Sequence, residues 1–263
     1  MSRRRCSSYP ACPIPRPALL WPRNLSSTLR VSAYHDHPGA QYSLPTDDIE
    51  LKRLTLQHRS LKILFDHRLV FAPVKVTSDD RVLDVGTGPG LWALDLAAAS
   101  DESMQITAVD IQNRLFPENP PANIDFRIET VLNLPERWSS VFCFVNQSLF
   151  MFACELQNGS SLYAGHQARR MELLQKAGFV DIQNEEKVQP VGKRAGEIGN
   201  ILRNNQIGVF KSIKTPVLAG GGFGIVSSEE EYDSIADEAE KELDEIPGTQ
   251  TLFIVHWERK PSA

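Results

Sequence analysis

The seven residues Asp84-Val-Gly-Thr-Gly-Pro-Gly90 constrain this chain more than any other segment. They close a short β-branched apolar run, Arg81-Val-Leu-Asp-Val-Gly86, and lead into Leu91-Trp-Ala-Leu-Asp-Leu-Ala-Ala-Ala99, whose residues favour a helix. Strand, glycine turn and helix in that order open a βαβ unit. Glycines at such a corner allow backbone angles and a close ligand approach that side chains would block, so a ligand is expected on this loop. A dinucleotide fingerprint keeps two residues between its second and third glycines; here only Pro89 separates Gly88 from Gly90, and an acid stands two residues before the first glycine. That spacing disfavours a nicotinamide-dependent enzyme.

A second strand, Ile106-Thr-Ala-Val-Asp110, ends in an acid 20 residues beyond Gly90. A carboxylate at that tip can accept hydrogen bonds from both ribose hydroxyls of an adenosine. Acid, three glycines, helix and second-strand acid together form the pattern of an S-adenosylmethionine site. The residues expected to hold the cofactor are Asp84, Gly86, Thr87, Gly88, Gly90, Asp110, Ile111 and Asn146.

The remaining pattern alternates strand and helix. A third strand is expected at 124–128 after the proline-rich loop from Pro117 to Pro121, and the apolar run Val141-Phe-Cys-Phe-Val145 suits a buried central parallel strand. A helix over 167–177 ends at Gly178, and a strand over 179–182 follows. Helices are expected over 197–213 and 228–243, the second opened by Ser228 and Glu231 as a capping box, before a last strand over 251–257. Ahead of the sheet, Asp47 and Glu50 read as a capping-box start for a helix whose inward face is Leu51, Leu54, His58, Leu61 and Phe65, with His58 a satisfied core histidine. The expected fold is α/β with a doubly wound, mostly parallel sheet.

Charge separates the first 35 residues from the rest. They hold six arginines and no acid, so the remainder carries −11 of a chain whose net charge is −5. An acidic body repels phosphates and argues against a nucleic-acid partner. The basic head, residues 1–41, is expected to be a disordered Arg/Pro/Ser-rich segment; a mitochondrial transit peptide is the alternative to a cytoplasmic location. No apolar run is long enough to span a membrane, since the longest, Val141 to Cys154, is interrupted by Asn146, Gln147 and Ser148. Cys6, Cys12, Cys143 and Cys154 show no metal-ligand spacing and no disulfide framework, so no metal is expected.

The chain resembles the fungal class I methyltransferases similar to the secondary-metabolism regulator LaeA. The resemblance rests on Tyr42-Ser-Leu-Pro45, Gln57-His58, Asp84 to Gly90, Asp110, Val145-Asn-Gln147, Ala177-Gly-Phe-Val-Asp181, Ile207 to Val217 and Gly220-Gly-Gly-Phe-Gly224. It implies a Rossmann-like methyltransferase domain over 42–260, with a helical cover at 42–70 and a helical insertion at 190–245 before the last strand. It also implies S-adenosylmethionine as cofactor and a small-molecule methyl acceptor bound beneath the cover. The family pattern carries a helix and a proline-glycine-glycine turn after the fourth strand, and no counterpart lies between Gln147 and Gln167; Cys154-Glu-Leu-Gln157 and Gly165-His166 resemble what should follow. Either the fold tolerates a shortened sheet, or the sequence reflects a defective splice or gene model. A methyltransferase-like scaffold without turnover, acting through a protein partner, is the competing reading. No catalytic residue is assigned; His166 and His256 are the conceivable bases, each more readily explained as structural.

Overall fold

The computed structural model describes residues 47–149 and 166–261. The basic head and Cys154 to Gly165 lie outside the described residues, as do the side chains of residues 166–169.

The five residues of β1 (Arg81–Val85) pair in parallel with β2 (Gln105–Asp110) on one side, and four of them, Val82 to Val85, pair in parallel with β4 (Phe144–Gln147) on the other. β3 (Ile124–Ile128) continues the sheet beyond β2, giving the order β3-β2-β1-β4. One face of the sheet packs Val82, Ile106, Ala108 and Ile124 against Trp92, Ala93 and Leu96 of α2 (Leu91–Ala99). The other packs Leu83, Val85 and Val109 beneath Val131, Leu134, Trp138 and Phe142. Strands buried on both faces need no alternation of polar and apolar residues, which is why β1 reads as a continuous apolar run broken only by Asp84.

The fourth strand departs from its expected form. β4 begins at Phe144, three residues later than the apolar run suggested, and its burial alternates, with Val145 half exposed. Phe142 instead meets Trp138 edge-on, ring centroids 5.6 Å apart. Among the described residues β4 has β1 as its one strand partner, so it borders the sheet and does not sit at its centre.

After α3 (His166–Lys176), the chain forms β5 (Val180–Pro190), which pairs antiparallel with β6 (Gln250–Arg259) in a separate two-stranded sheet. Both strands run longer than their sequence signals because they pair with each other over nearly their whole length. Between them lie α4 (Gly196–Ser212), α5 (Lys214–Ala219) and α6 (Glu229–Glu245). Ser228 caps α6 by accepting the Glu231 N–H, and the Glu231 carboxylate reaches back to the N–H and hydroxyl of Ser227, one residue earlier than a capping box would place it.

α1 (Asp48–Leu64) is capped by Asp47, whose Oδ1 accepts the Ile49 and Glu50 N–H groups. Glu50 does not complete a capping box. It turns inward, 1% exposed, and holds the Arg53 guanidinium through two bonds of 2.6 and 2.7 Å, while Arg53 also donates to Asn205 of α4 at 3.1 Å. The fully buried stripe of α1 is thus Glu50, Arg53, Ser60 and Leu64; of the expected inward face, Phe65 is buried and Leu51, Leu54, His58 and Leu61 are only partly covered. Gly208 makes this possible: a β-carbon there would lie 3.2 Å from Arg53 Cγ.

Candidate functional site

The loop from Gly86 to Gly90 leaves the C-terminal end of β1, the edge at which open parallel sheets bind ligands. Gly88 has φ +52° and Gly90 +75°, left-handed angles that side chains rarely adopt. The two glycines serve different ends. A β-carbon on Gly90 would lie 2.4 Å from Cζ of Phe126, so that position is bare to let α2 start against β3. One on Gly88 would meet nothing nearer than Leu54 of α1, at 3.9 Å, so the surface above Gly88 is open except for the side of that helix.

Two carboxylates hold the loop. Asp110, the last residue of β2, accepts the Gly88 N–H on Oδ2 and the Ile111 N–H on Oδ1, both at 2.8 Å. Asp84, 3% exposed inside β1, accepts the Thr87 hydroxyl on Oδ2 at 2.6 Å and the Asn146 amide NH₂ on Oδ1 at 2.8 Å. Thr87 is fastened again by its N–H to the Val109 carbonyl, and Gly90 by its N–H to the Thr87 carbonyl. Burial pushes the Asp84 carboxyl up to about 6, against the opposing pull of Thr87 and Asn146, and the nearby Asp110 adds to the rise. Burial likewise raises Asp110, opposed by the backbone N–H groups of Gly88, Ile111 and Gln112.

The structure therefore brings Asp84, Thr87, Gly88, Asp110, Ile111 and Asn146 into one hydrogen-bonded cluster, with Gly86 and Gly90 as the ends of the loop. The two oxygens of Asp110 accept backbone N–H groups of Gly88, Ile111 and Gln112, and of about four acceptor positions on a carboxylate one is left for a ligand hydroxyl. His256 is elsewhere, on β6 opposite Asn184, with Nδ1 buried and without a hydrogen-bond partner among the described residues.

Two features escaped the sequence reading. One is the turn after β3: the Glu129 N–H donates to the Asp110 carbonyl, which sets Thr130 to Leu132 beside the same sheet edge, with Leu132 88% exposed. An acid closing the third strand, as Asp110 closes the second, was the available signal. The other is the attachment of α1 to α2. Asp95 of α2 binds His58 Nε2 at 2.6 Å and Lys62 Nζ at 2.7 Å. Burial raises the Asp95 carboxyl, and these two partners more than reverse the rise. His58 is accordingly a partnered histidine at a helix junction, only partly covered.

A parallel sheet ordered β3-β2-β1-β4, an acid-and-glycine loop after β1 and an acid at the tip of β2 fit a Rossmann-like α/β fold of the class I methyltransferase kind. Over part of its length the chain is similar to fungal N-methyltransferases and to LaeA-like regulators of secondary metabolism. It is 33% identical over 118 residues to the N-methyltransferase sirN of Leptosphaeria maculans, covering 44% of this chain and 41% of that protein. It is 39% identical over 80 residues to the secondary metabolism regulator LAE1 of Gibberella fujikuroi, covering 30% and 24%. With the N-methyltransferase tcpN of Claviceps purpurea it shares 33% identity over 110 residues, covering 40% and 39%. The aligned part thus spans less than half the length of each relative. No protein-family model matches the chain. A solved phosphoethanolamine N-methyltransferase 2 of Haemonchus contortus, with S-adenosylhomocysteine bound, is similar at a TM-score of 0.40 and 14% identity, over 78% of this chain and 53% of that one. That likeness is too loose to add to the topology described above.

Proposed function

We propose that this protein binds S-adenosylmethionine at the Gly86–Gly90 loop and methylates a small molecule. The observation that carries the reading is the tie between Asp110 and Gly88: the second-strand acid is fixed against the loop by backbone N–H groups while keeping an acceptor position for a ribose hydroxyl. The relatives named N-methyltransferases support it.

When bound, the cofactor supplies a methyl group already activated on a sulfonium, which passes to a nucleophile as sulfur keeps the bonding electrons. The chain's own residues then have to bind and orient more than to exchange protons. Asp110 holds the ribose. Gly88 leaves room for it. Ile128 and Leu132, exposed apolar side chains around the end of β3, offer a surface for a purine face. α1 stands over the loop through Leu54 and excludes water from that side. A methyl acceptor would be bound beneath the cover formed by residues 42–70 and 190–245.

Calorimetric titration with S-adenosylhomocysteine tests the reading. Saturable binding with one site per chain is expected, and heats indistinguishable from buffer dilution would overturn it.

The open outer edge of β4 among the described residues favours a second reading, a methyltransferase-like protein that acts through a partner. Binding of S-adenosylhomocysteine without release of methyl groups to any acceptor in a small-molecule extract would favour that reading.

A further inference from the structure

Leu54, His58 and Lys62 follow one another at i, i+4 and i+8, so they form a single row along α1. The row lies against the glycine loop and the first turns of α2. A β-carbon on Gly88 would meet Leu54 first; one turn further His58 Nε2, and two turns further Lys62 Nζ, share Oδ2 of Asp95 at 2.6 and 2.7 Å. A different stripe of α1, Glu50, Arg53 and Ser60, is buried, and Arg53 ties it to Asn205 of α4. Toward α4 the helix is thus held by a buried charge pair, whereas toward α2 it is held by side chains that stay 22 to 31% exposed.

The C-terminal end of α1 is its fixed end. Phe65 is buried, Leu69 and Val70 pack against the core beside α2, and the Leu69 carbonyl accepts the Trp92 Nε1–H at 2.9 Å. Between them Asp66 and His67 take left-handed angles, φ +56° and +61°, in a turn at the helix end, the kind of position that absorbs a change of direction. The other end of α1 stands over the loop.

We propose that Asp95 is a positioning residue of the cofactor site: by clasping His58 and Lys62 it holds α1 against α2 and sets Leu54 over Gly88, and so governs how fast a ligand enters and leaves the loop. This rests on the S-adenosylmethionine reading above. A ligand seated on Gly88 lies beside Leu54, and its passage past that side chain requires α1 to tilt away about residues 65–70. The two bonds to Asp95 resist that tilt. Entry and exit pass through the same opened arrangement, so loosening the clasp speeds both by one factor and leaves the affinity, which compares only the end states, nearly as it was.

The association and dissociation rates of S-adenosylhomocysteine test this, measured by surface plasmon resonance on the full chain alongside the melting temperature of each variant. Half-exposed ion pairs shift an equilibrium only a few-fold each, so Asp95→Asn is expected to raise both rates together by about three- to tenfold, with Kd within about twofold of wild type. Lys62→Glu alone should raise them also. Combined with Asp95→Lys, it restores an ion pair with the signs exchanged and should bring both rates back toward wild type. Arg59→Gln removes the 3.7 Å pair with Glu197 of α4, away from α2, and should leave both rates unchanged. S-adenosylhomocysteine carries no net charge at neutral pH, so added salt should speed both steps by screening the clasp in the wild type and do nothing in Asp95→Asn.

A merely structural role would lower the melting temperature and slow association, and the exchanged pair would not restore the rates. Rates within about twofold of wild type in Asp95→Asn, a slower association, or a folded exchanged-pair variant that is not restored would overturn the inference while leaving the cofactor site standing. A wild-type chain that binds no S-adenosylhomocysteine would overturn the function itself.

Discussion

Asp110 Oδ2 accepts the Gly88 N–H at 2.8 Å, joining the tip of β2 to the middle of the loop that follows β1. Two elements 22 residues apart in sequence are thereby fixed as one surface, and the carboxylate belongs to the loop before any ligand arrives. The loop is preorganised, so ligand binding need not order it.

Asp110→Ala should cost the site twice, by removing an acceptor for the ribose and by releasing the Gly88 N–H. Affinity for S-adenosylhomocysteine is expected to fall at least about tenfold, close to 1.4 kcal/mol. Calorimetry decides the matter: an affinity within about twofold of wild type would remove Asp110 from the site.

Asp84 makes a prediction about stability with a definite sign. Its carboxyl titrates near 6 in the folded protein, above its ordinary value of 3.8, so the folded state binds the extra proton between those pH values. Stability from this group is present below about pH 4 and lost as pH rises through about 6, a loss of about 3 kcal/mol at most. Asp84→Asn removes the buried charge and is expected to melt higher than wild type at pH 8, with the difference vanishing near pH 4. Thermal melts across that range would show it, and an equal or lower melting temperature at pH 8 would contradict it.

Gly90 and Gly88 should fail differently. Gly90→Ala places a methyl 2.4 Å from the Phe126 ring at a left-handed φ, and is expected to destabilise the fold by about 2–4 kcal/mol. Phe126→Leu in the same chain should recover part of that loss in denaturant titrations. Gly88→Ala meets only Leu54 at van der Waals distance, so about 1–2 kcal/mol of backbone strain is the main stability cost. Its larger effect is expected on S-adenosylhomocysteine affinity.

Arg53→Met would leave Glu50 charged, 1% exposed and unpaired. Breaking one side of a buried pair costs about 3–5 kcal/mol, whereas Glu50→Gln combined with Arg53→Met leaves no charge behind and should recover much of it. Burial already raises the Glu50 carboxyl despite Arg53. The single variant should therefore lose stability as pH rises through the carboxylate range, more steeply than wild type. Chemical denaturation at pH 5 and pH 8 would measure both effects.

The strands and the glycine loop were legible in the sequence because their signals are local. The run Val82 to Val85, the acid at Asp110 and the glycines at 86, 88 and 90 each declare themselves within a few residues, and the angles at Gly88 and Gly90 follow from what only glycine tolerates. What depended on distant partners was not legible. Apolar spacing chose Leu51, Leu54, His58, Leu61 and Phe65 as the inward face of α1; Phe65 is buried, yet Asn205, 152 residues beyond Arg53, pairs with a buried polar stripe while the other four are only partly covered. An apolar run suggested a central strand at 141–145, but β4 begins at Phe144 and, with β1 its one partner among the described residues, leaves Val145 half exposed. The roles within the site divide the same way. Sequence alone placed Asp84, Asp110 and Asn146 among the ligand-binding residues; only the register of β1 against β4 set Asp84 on the Asn146 amide and away from solvent. Backbone angles and propensities are properties of neighbouring residues, whereas burial and the direction of a hydrogen bond belong to pairs of groups that the folded chain brings together.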